Sequence, residues 1–172
     1  MNLINNLIMN LINNLIRIGT ISSLNPKKAK ARVIFEDRDN FVSKELPALF
    51  QRTLGTKDYS MPKVGEQVLC IFQPNGLEEG YIIGSYYTEK ITPPADDEKK
   101  RLIKFEDGSI VEYNNGEITI KGAKSINIIA ATNVNIEGPS GVNINGDLKV
   151  NGNINATGSI IDTTRNTANH SH

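Results

Sequence analysis

The sequence predicts an all-β protein with two dissimilar parts, a compact barrel followed by a thin needle. Short β runs separated by turn residues fill residues 17–90, and a charged segment with a Pro pair follows at 91–101. Aliphatic residues then repeat at fixed spacing through 102–162. Aromatic residues end at Tyr113, after which Ile, Val, Asn, Gly, Thr and Ser make up most of the chain. One chain therefore holds a β domain, a linker and a repetitive appendage.

The composition excludes several classes of protein. The chain has 172 residues, and its 19 Lys and Arg balance its 19 Asp and Glu, so it lacks the basic excess typical of nucleic-acid-binding proteins. A single Cys excludes an intrachain disulfide and a Cys-rich zinc site within one chain. The sequence has no run of about eighteen apolar residues, so no membrane-spanning helix is predicted.

Residues 1–16 form an N-terminal extension in which the octapeptide MNLINNLI occurs twice. Its Leu-Ile pairs recur every four residues, close to helical spacing, so the sequence allows a short amphipathic helix. Two interpretations stay open. The helix is a docking element for a partner or a neighbouring subunit, or the segment is a frayed, duplicated extension with Met9 as a second start.

Residues 17–90 carry the pattern of a small OB-like barrel. The runs RIGTISSL and ARVIFED flank a turn at Asn25–Pro26, and EQVLCIFQ and GYIIGSYYT flank a turn at 74–76. Five or so short strands within about seventy residues are typical of such a barrel.

The run EQVLCIFQ is expected to be a central strand. Alternation places Val68, Cys70 and Phe72 on one face, and Leu69 and Ile71 on the other. Because both faces are apolar, a buried strand is favoured. Cys70 is therefore expected to be a small core residue rather than a nucleophile.

OB-like domains can bind single-stranded nucleic acid through exposed aromatic rings and a basic groove. The aromatic candidates are Tyr81, Tyr86 and Tyr87. The basic cluster comprises Lys27, Lys28, Lys30 and Arg32. Since the net charge is zero, we interpret this cluster as a solvated turn and expect no nucleic-acid partner.

An aliphatic repeat follows the linker. LIKFEDGSIVEY predicts a hairpin closed at Asp107–Gly108. Beyond it, pairs of aliphatic residues two positions apart recur first every eight residues and then every six, with one polar residue between them. The predicted needle core is Ile110, Ile118, Ile120, Ile126, Ile128, Val134, Ile136, Val142, Ile144, Leu148, Val150, Ile154 and Ile160. Each repeat thus predicts a three-residue strand with two side chains inward and one outward, and then a turn.

Energetics decide how many chains share this core. Two buried aliphatic side chains contribute about 3–6 kcal/mol, whereas ordering eight backbone residues costs about 8–16 kcal/mol. A single-chain β-helix of hexapeptides needs about eighteen residues per coil, so this segment yields barely three coils. Three identical chains around one axis give every layer three strands and an aliphatic core. The sequence therefore predicts an intertwined homotrimer with a triple-stranded β-helix needle about 35 Å long.

The last segment, residues 163–172, carries the only histidines, His170 and His172. Two residues apart on an extended strand, their imidazoles face one side. Two imidazoles do not complete a metal site, but three chains bring six, which suits an octahedral transition metal better than tetrahedral zinc. We therefore predict one metal ion per trimer at the tip. The competing interpretation is a polar tail with incidental histidines.

Several motifs resemble the baseplate assembly protein V, or tail-spike, family of contractile phage tails, phage-tail-like bacteriocins and related injection systems. They are RIGTISSLNPKKAKARVIF, MPKVGEQVLCIFQPNGLEEGYIIGSYY, the Pro-containing linker and FEDGSIVEY, and the resemblance covers 17–172. It implies an OB domain over 17–90, a triple-stranded β-helix over 102–162, and an iron site at His170 and His172. It also implies a homotrimer whose N-terminal part sits in the baseplate hub while the tip pierces the target cell envelope. The doubled MNLINNLI departs from the family pattern.

We therefore expect a non-enzymatic, membrane-piercing spike of a virion or tail-like particle, synthesised in the bacterial cytoplasm. The sequence has no P-loop, HExxH motif, nucleophile elbow or paired-carboxylate cluster, so no small-molecule substrate is expected. One alternative is a hexapeptide-repeat acyltransferase with a single-chain left-handed β-helix, which explains Leu148–Ile160 but not the eight-residue repeats. The other is an OB-type binding module with a structural tail.

Overall fold

The structure is a computed structural model, and it describes residues 3–74 and 79–161. The protein is mostly β, with antiparallel sheets and one short N-terminal helix, which confirms the predicted class. The chain divides into two compact units at the Ala123–Lys124 bond. Within the described residues, the first unit holds every helix and strand.

The first unit begins with helix α1 (Leu3–Leu15), which runs directly into strand β1 (Ile16–Asn25). Five more strands join β1 in a six-stranded antiparallel sheet: β2 (Lys30–Phe35), β3 (Phe41–Val42), β4 (Leu46–Pro47), β5 (Gln67–Phe72) and β6 (Gly80–Ser85). The strand order is β3-β2-β1-β5-β6, with β4 paired to β2. Strand β5 therefore lies between two neighbours, as expected for a central strand.

The connection between β1 and β2 follows from its turn residues. Pro26–Lys28 forms one 3-10 turn, and Ala29 takes a left-handed conformation with φ 53° while its N–H donates to the Pro26 carbonyl at 3.1 Å. Because Pro fixes its own φ and has no N–H to donate, it suits this start of a turn. The turn predicted at Asn25–Pro26 is confirmed.

The core of the sheet is contained within one chain. Its fully buried apolar residues are Ile21, Ala31, Val33, Phe35, Leu46, Val68, Cys70, Phe72 and Ile82. The rings of Phe35 and Phe72 meet edge to face, with centroids 5.7 Å apart. Burial raises the pKa of the Cys70 thiol to about 12. Cys70 is therefore a core residue, as its position in the strand predicts.

The second face of β5 differs from the expectation. Leu69 is half-buried and Ile71 is 41% exposed, so the described residues cover this side of the sheet only in part. Strand β5 is thus central in the sheet but buried on one face only.

A second, three-stranded sheet closes the first unit. It consists of β7 (Arg101–Lys104), β8 (Ile110–Asn114) and β9 (Glu117–Lys121) in sequential antiparallel order. The predicted hairpin at Asp107–Gly108 is confirmed. There the Ser109 backbone N–H donates to the Asp107 carboxylate at 2.9 Å and lowers the pKa of that carboxyl. Asn115 and Gly116 join β8 to β9 with φ of 47° and 93°, the left-handed pair that a two-residue hairpin turn requires.

The second unit has a different character. Its described residues, 124–161, form no helix or strand, and all of them are exposed. One backbone hydrogen bond links them, from the Gly141 N–H to the Gly138 carbonyl at 2.8 Å. Hence the repetitive segment of a single chain does not satisfy its own backbone groups.

Candidate assembly surfaces

The aliphatic pairs of residues 124–161 all face solvent in the single chain. Exposure of the predicted needle-core side chains in this range runs from 44% at Val150 to 76% at Ile160. The set comprises Ile126, Ile128, Val134, Ile136, Val142, Ile144, Leu148, Val150, Ile154 and Ile160. Exposed aliphatic side chains in this number indicate an interaction surface.

The three-stranded sheet carries a second apolar face. Val111 lies opposite both Ile103 and Ile120, and Tyr113 lies opposite Ile118, so these five side chains share one side of the sheet. Each is at least 40% exposed. Ile118 and Ile120, which the repeat assigns to the needle core, therefore belong to an uncovered apolar face.

Ile110 does not continue this series. It lies opposite Lys121 and is half-buried, on the reverse side of the sheet from Ile118 and Ile120. The turn at Asn115–Gly116 reverses the chain, and counting in steps of eight does not hold across such a turn. Ile110 therefore lies on a different face of the sheet from Ile118 and Ile120, and all thirteen residues stay a prediction as an axial core.

The outer face of the six-stranded sheet is apolar as well. Ile16 of β1 pairs with Ile71 of β5, Ile18 pairs with Leu69, and Ile71 pairs in turn with Tyr81. Ile16 and Ile18 are 58% and 55% exposed, more than either neighbour on β5. Residues on both sides of this sheet are apolar, but among the described residues the fully buried apolar side chains lie on the inner side.

A groove of about 470 Å³ opens on this outer face, at the start of β1. Its apolar lining comes from Ile16, Ile18, Ile34 and Leu69, and its acidic side chains are Glu36 and Asp37. Helix α1 contributes Asn13 to the same groove. An apolar floor with a few convergent polar groups is the usual form of a binding site.

Arg17 pairs with one of the two acidic residues that line this groove. Its side chain is buried, its guanidinium lies 5.5 Å from the centre of the Phe35 ring, and one of its terminal nitrogens pairs with Asp37. Phe35 thus offers its π face to a buried cation. The position between Ile16 and Ile18 marks an inward residue of β1, but the sequence pattern did not single out Arg17.

Helix α1 adds an uncharged, exposed stripe next to the outer face. Leu3 is 85% exposed and Ile4 61%, and Ile8, Met9, Leu11 and Ile12 are all exposed as well. The helix has no acidic residue in its first turn and no basic residue in its last. Its sequence therefore offers apolar contacts and Asn amides rather than ion pairs.

Within the described residues, the predicted aromatic and basic groups make separate contacts. Tyr86 donates its hydroxyl hydrogen to Gln67 at 3.1 Å. The hydrogen bond from the Asn25 side-chain amide lowers the pKa of the Glu45 carboxyl most, and the charges of Lys28, Arg32 and Lys30 lower it further. A carboxylate of the same chain thus lies within the electrostatic influence of the basic cluster.

The histidine pair His170 and His172 lies outside the described residues. Among residues 3–74 and 79–161, no group of three or more His, Cys, Asp and Glu is placed to hold a metal ion. In the same part of the chain, no helix has the length and apolar character needed to cross a membrane.

Comparison with models of known protein families gave no match, and neither did comparison with curated proteins. The resemblance to the baseplate assembly protein V family therefore stays a prediction.

Proposed function

We propose that this chain is the central spike of a contractile tail or injection particle, a non-enzymatic homotrimeric needle carried by an OB-like domain. One observation supports this most strongly. Residues 124–161 carry regularly spaced aliphatic pairs, yet every residue is exposed and a single backbone hydrogen bond joins the segment. Such a segment acquires a core only from other chains.

Backbone chemistry favours three chains over one. Extended residues need neighbouring strands to accept and donate their backbone hydrogen bonds. Identical chains around one axis supply those strands in every layer and bring the aliphatic pairs together. Other chains also supply a cover for the exposed apolar face of the three-stranded sheet, formed by residues such as Val111, Ile118 and Ile120.

The acyltransferase alternative is supported less well. A single-chain β-helix packs its coils on one another, so its aliphatic residues are buried and its backbone is paired within the chain. Residues 148–160, the part with hexapeptide spacing, are all exposed instead. The needle hypothesis accounts for this exposure, whereas the single-chain β-helix does not.

An OB-like barrel for the head is supported by its topology. The sheet runs in the order β3-β2-β1-β5-β6, and a parallel bridge between Ala48 and Ile82 links the segment after β4 to β6. A curled sheet whose ends approach each other in this way is typical of small barrels. In the proposed particle this head sits in the baseplate hub, and the far end of the needle contacts the target envelope.

The proposal includes one metal ion, iron by the resemblance, held at the tip by His170 and His172 of three chains. Elemental analysis of the purified trimer tests this part on its own. We expect about one metal atom per three chains, and a His170→Ala/His172→Ala variant should lose it. A metal content far below this ratio would contradict the tip site but not the proposed trimeric needle.

Sedimentation equilibrium tests the trimer itself. The chain has a mass of 18.9 kDa, so the proposal expects a single species three times as heavy at micromolar concentration. A monomer at tens of micromolar would overturn the proposed function. Single-stranded DNA binding at physiological salt would instead favour the OB-type binding module.

A further inference from the structure

A braced loop stands out between β4 and β5. The rings of Phe50 and Tyr59 stack at its base, with centroids 5.8 Å apart and planes 12° from parallel. Inside that base, the Asp58 N–H donates to the Arg52 carbonyl at 3.0 Å, and Arg52 Nε donates to the Asp58 carboxylate at 3.1 Å. We call residues 50–59 the braced loop. Its two ends are joined by a ring stack, a backbone bond and an ion pair.

The apex of the braced loop presents one aliphatic side chain to water. Leu54 is 94% exposed, and the following Gly55 has a φ of 72°, which turns the chain sharply. Lys57, three residues further on, makes no ion pair within the described residues. A single exposed Leu is common on protein surfaces, but here a closed loop holds it beside an unpaired cation.

The groove at the start of β1 is complementary to this apex. Ile16, Ile18, Ile34 and Leu69 line it, which suits an aliphatic side chain. Of its two carboxylates, Asp37 is engaged by Arg17, whereas Glu36 makes no ion pair within the part of the chain that the structure describes. The groove thus offers an apolar floor and one unpaired acidic group, the counterparts of Leu54 and Lys57.

The two surfaces do not meet within one chain. The Tyr59 hydroxyl donates to the Pro26 carbonyl at 3.2 Å, so the base of the braced loop lies at the far end of β1 from Ile16. The ten residues of β1 separate these ends by about 30 Å along the strand. Since Leu54 is also 94% exposed, it does not fill the groove of its own chain.

We propose that Leu54 of one chain inserts into the groove of the next, with Lys57 facing Glu36 across the contact. Because the two surfaces are different, the contact is head-to-tail, and a ring of three such contacts closes with threefold symmetry. This inference rests on the homotrimer of the proposed function and adds a second trimer contact, in the head. Charge complementarity between loop and groove then favours one orientation of each head relative to the next.

Disulfide cross-linking of the full chain tests this contact. We expect the Leu54→Cys/Ile18→Cys variant, oxidised at pH 8, to give a covalent trimer on a non-reducing gel. Both positions are exposed, so the substitutions leave the fold intact, and buried Cys70 does not compete. Each single-Cys variant, and Val64→Cys/Ile18→Cys with its exposed residue outside the braced loop, should give no trimer band.

The outcomes separate the two proposals. A trimeric mass without the covalent trimer, or with covalent dimers alone, would overturn the loop-and-groove contact. It would not contradict the proposed homotrimeric needle. A monomeric mass for the unmodified chain would overturn both.

A charge swap tests the polar half of the contact. Lys57→Glu or Glu36→Lys in the double-Cys background should slow cross-linking about two- to fivefold, as expected for one solvent-exposed ion pair. Combining the two reversals should restore the original rate. Equal rates in all four proteins would show that Lys57 does not face Glu36, which contradicts the proposed geometry.

Discussion

The two compact units use similar β-forming side chains in opposite ways. In the first unit, residues of β1, β2, β4, β5 and β6 meet inside one chain and bury nine apolar side chains. In the second, alternating residues of 124–161 are as aliphatic but bury nothing. The difference lies in the number of strands that one chain brings together, since a strand needs neighbours before its apolar face acquires a partner. Alternation of apolar and polar residues therefore predicts that one face of a strand is buried. It does not predict whether the same chain or another chain covers that face.

The largest expected effect is in the second unit. Ile136→Asp places three carboxylates together on the proposed axis, where desolvation costs several kcal/mol per ion and mutual repulsion adds to it. We expect loss of the trimer at neutral pH, measured by sedimentation. The matched control is Asn135→Asp, one residue away on the outward side, which should stay trimeric. A heat-resistant trimer of Ile136→Asp would show that this position does not face the axis.

The next effect concerns the head core. Phe35→Ala removes a fully buried ring that contacts Phe72 and lies under Arg17, so it should lower the free energy of unfolding by about 3–5 kcal/mol. Urea titration measures this change. Because the core belongs to one chain, the loss should not vary with protein concentration, unlike that of Ile136→Asp. Phe41→Ala, at an exposed ring, should cost about 1 kcal/mol or less.

A smaller effect is expected at a tight backbone position. A Cβ on Gly19 would lie 2.5 Å from Val33 Cγ1 and 2.7 Å from the Ile34 carbonyl oxygen. Gly19→Ala should therefore destabilise the head by about 1–3 kcal/mol. Gly84→Ala is the control, since a Cβ there meets nothing within 4 Å. Equal melting temperatures for the two variants would contradict the close packing of β1 on β2.

The smallest expected effect is the pH dependence of stability that arises from the Cys70 thiol, which changes nothing at neutral pH. Its pKa of about 12 in the folded head lies above the ordinary thiol value, so the unfolded chain loses this proton first as pH rises. The Cys70 contribution to stability should be complete below about pH 9 and decline as the pH rises towards 12.

Labelling of Cys70 also sharpens the contrast between the units. At pH 8 we expect iodoacetamide to react with Cys70 only after urea unfolding, in the native sequence and equally in Ile136→Asp. Rapid labelling of Ile136→Asp without urea would show that the head needs the needle to fold.

The parts of this fold that could be predicted are those set by residues close together in the sequence. Turn chemistry placed the hairpins at Asn25–Pro26 and Asp107–Gly108, and Leu-Ile spacing indicated the helix. Strands β3 and β4 were not predicted, because a strand of two residues is too short to show an alternating pattern of apolar and polar residues. Likewise, the face of Ile110 depends on the turn at Asn115–Gly116, which spacing alone does not reveal. The groove and the braced loop form from residues that are far apart in the sequence, so no local sequence pattern predicted them.

The change of repeat length in the needle segment has a consequence for alignment of the chains. Along the eight-residue repeats, a chain displaced by one whole repeat presents the same aliphatic pattern to its neighbours. Near Gly146 and Gly152, whose φ values of 139° and 153° are accessible to glycine, the spacing shortens to six. A displaced chain then sets a short repeat beside a long one and leaves aliphatic residues facing turns. In the proposed trimer, the shortened repeats therefore give the aligned chains a lower energy than any slipped arrangement.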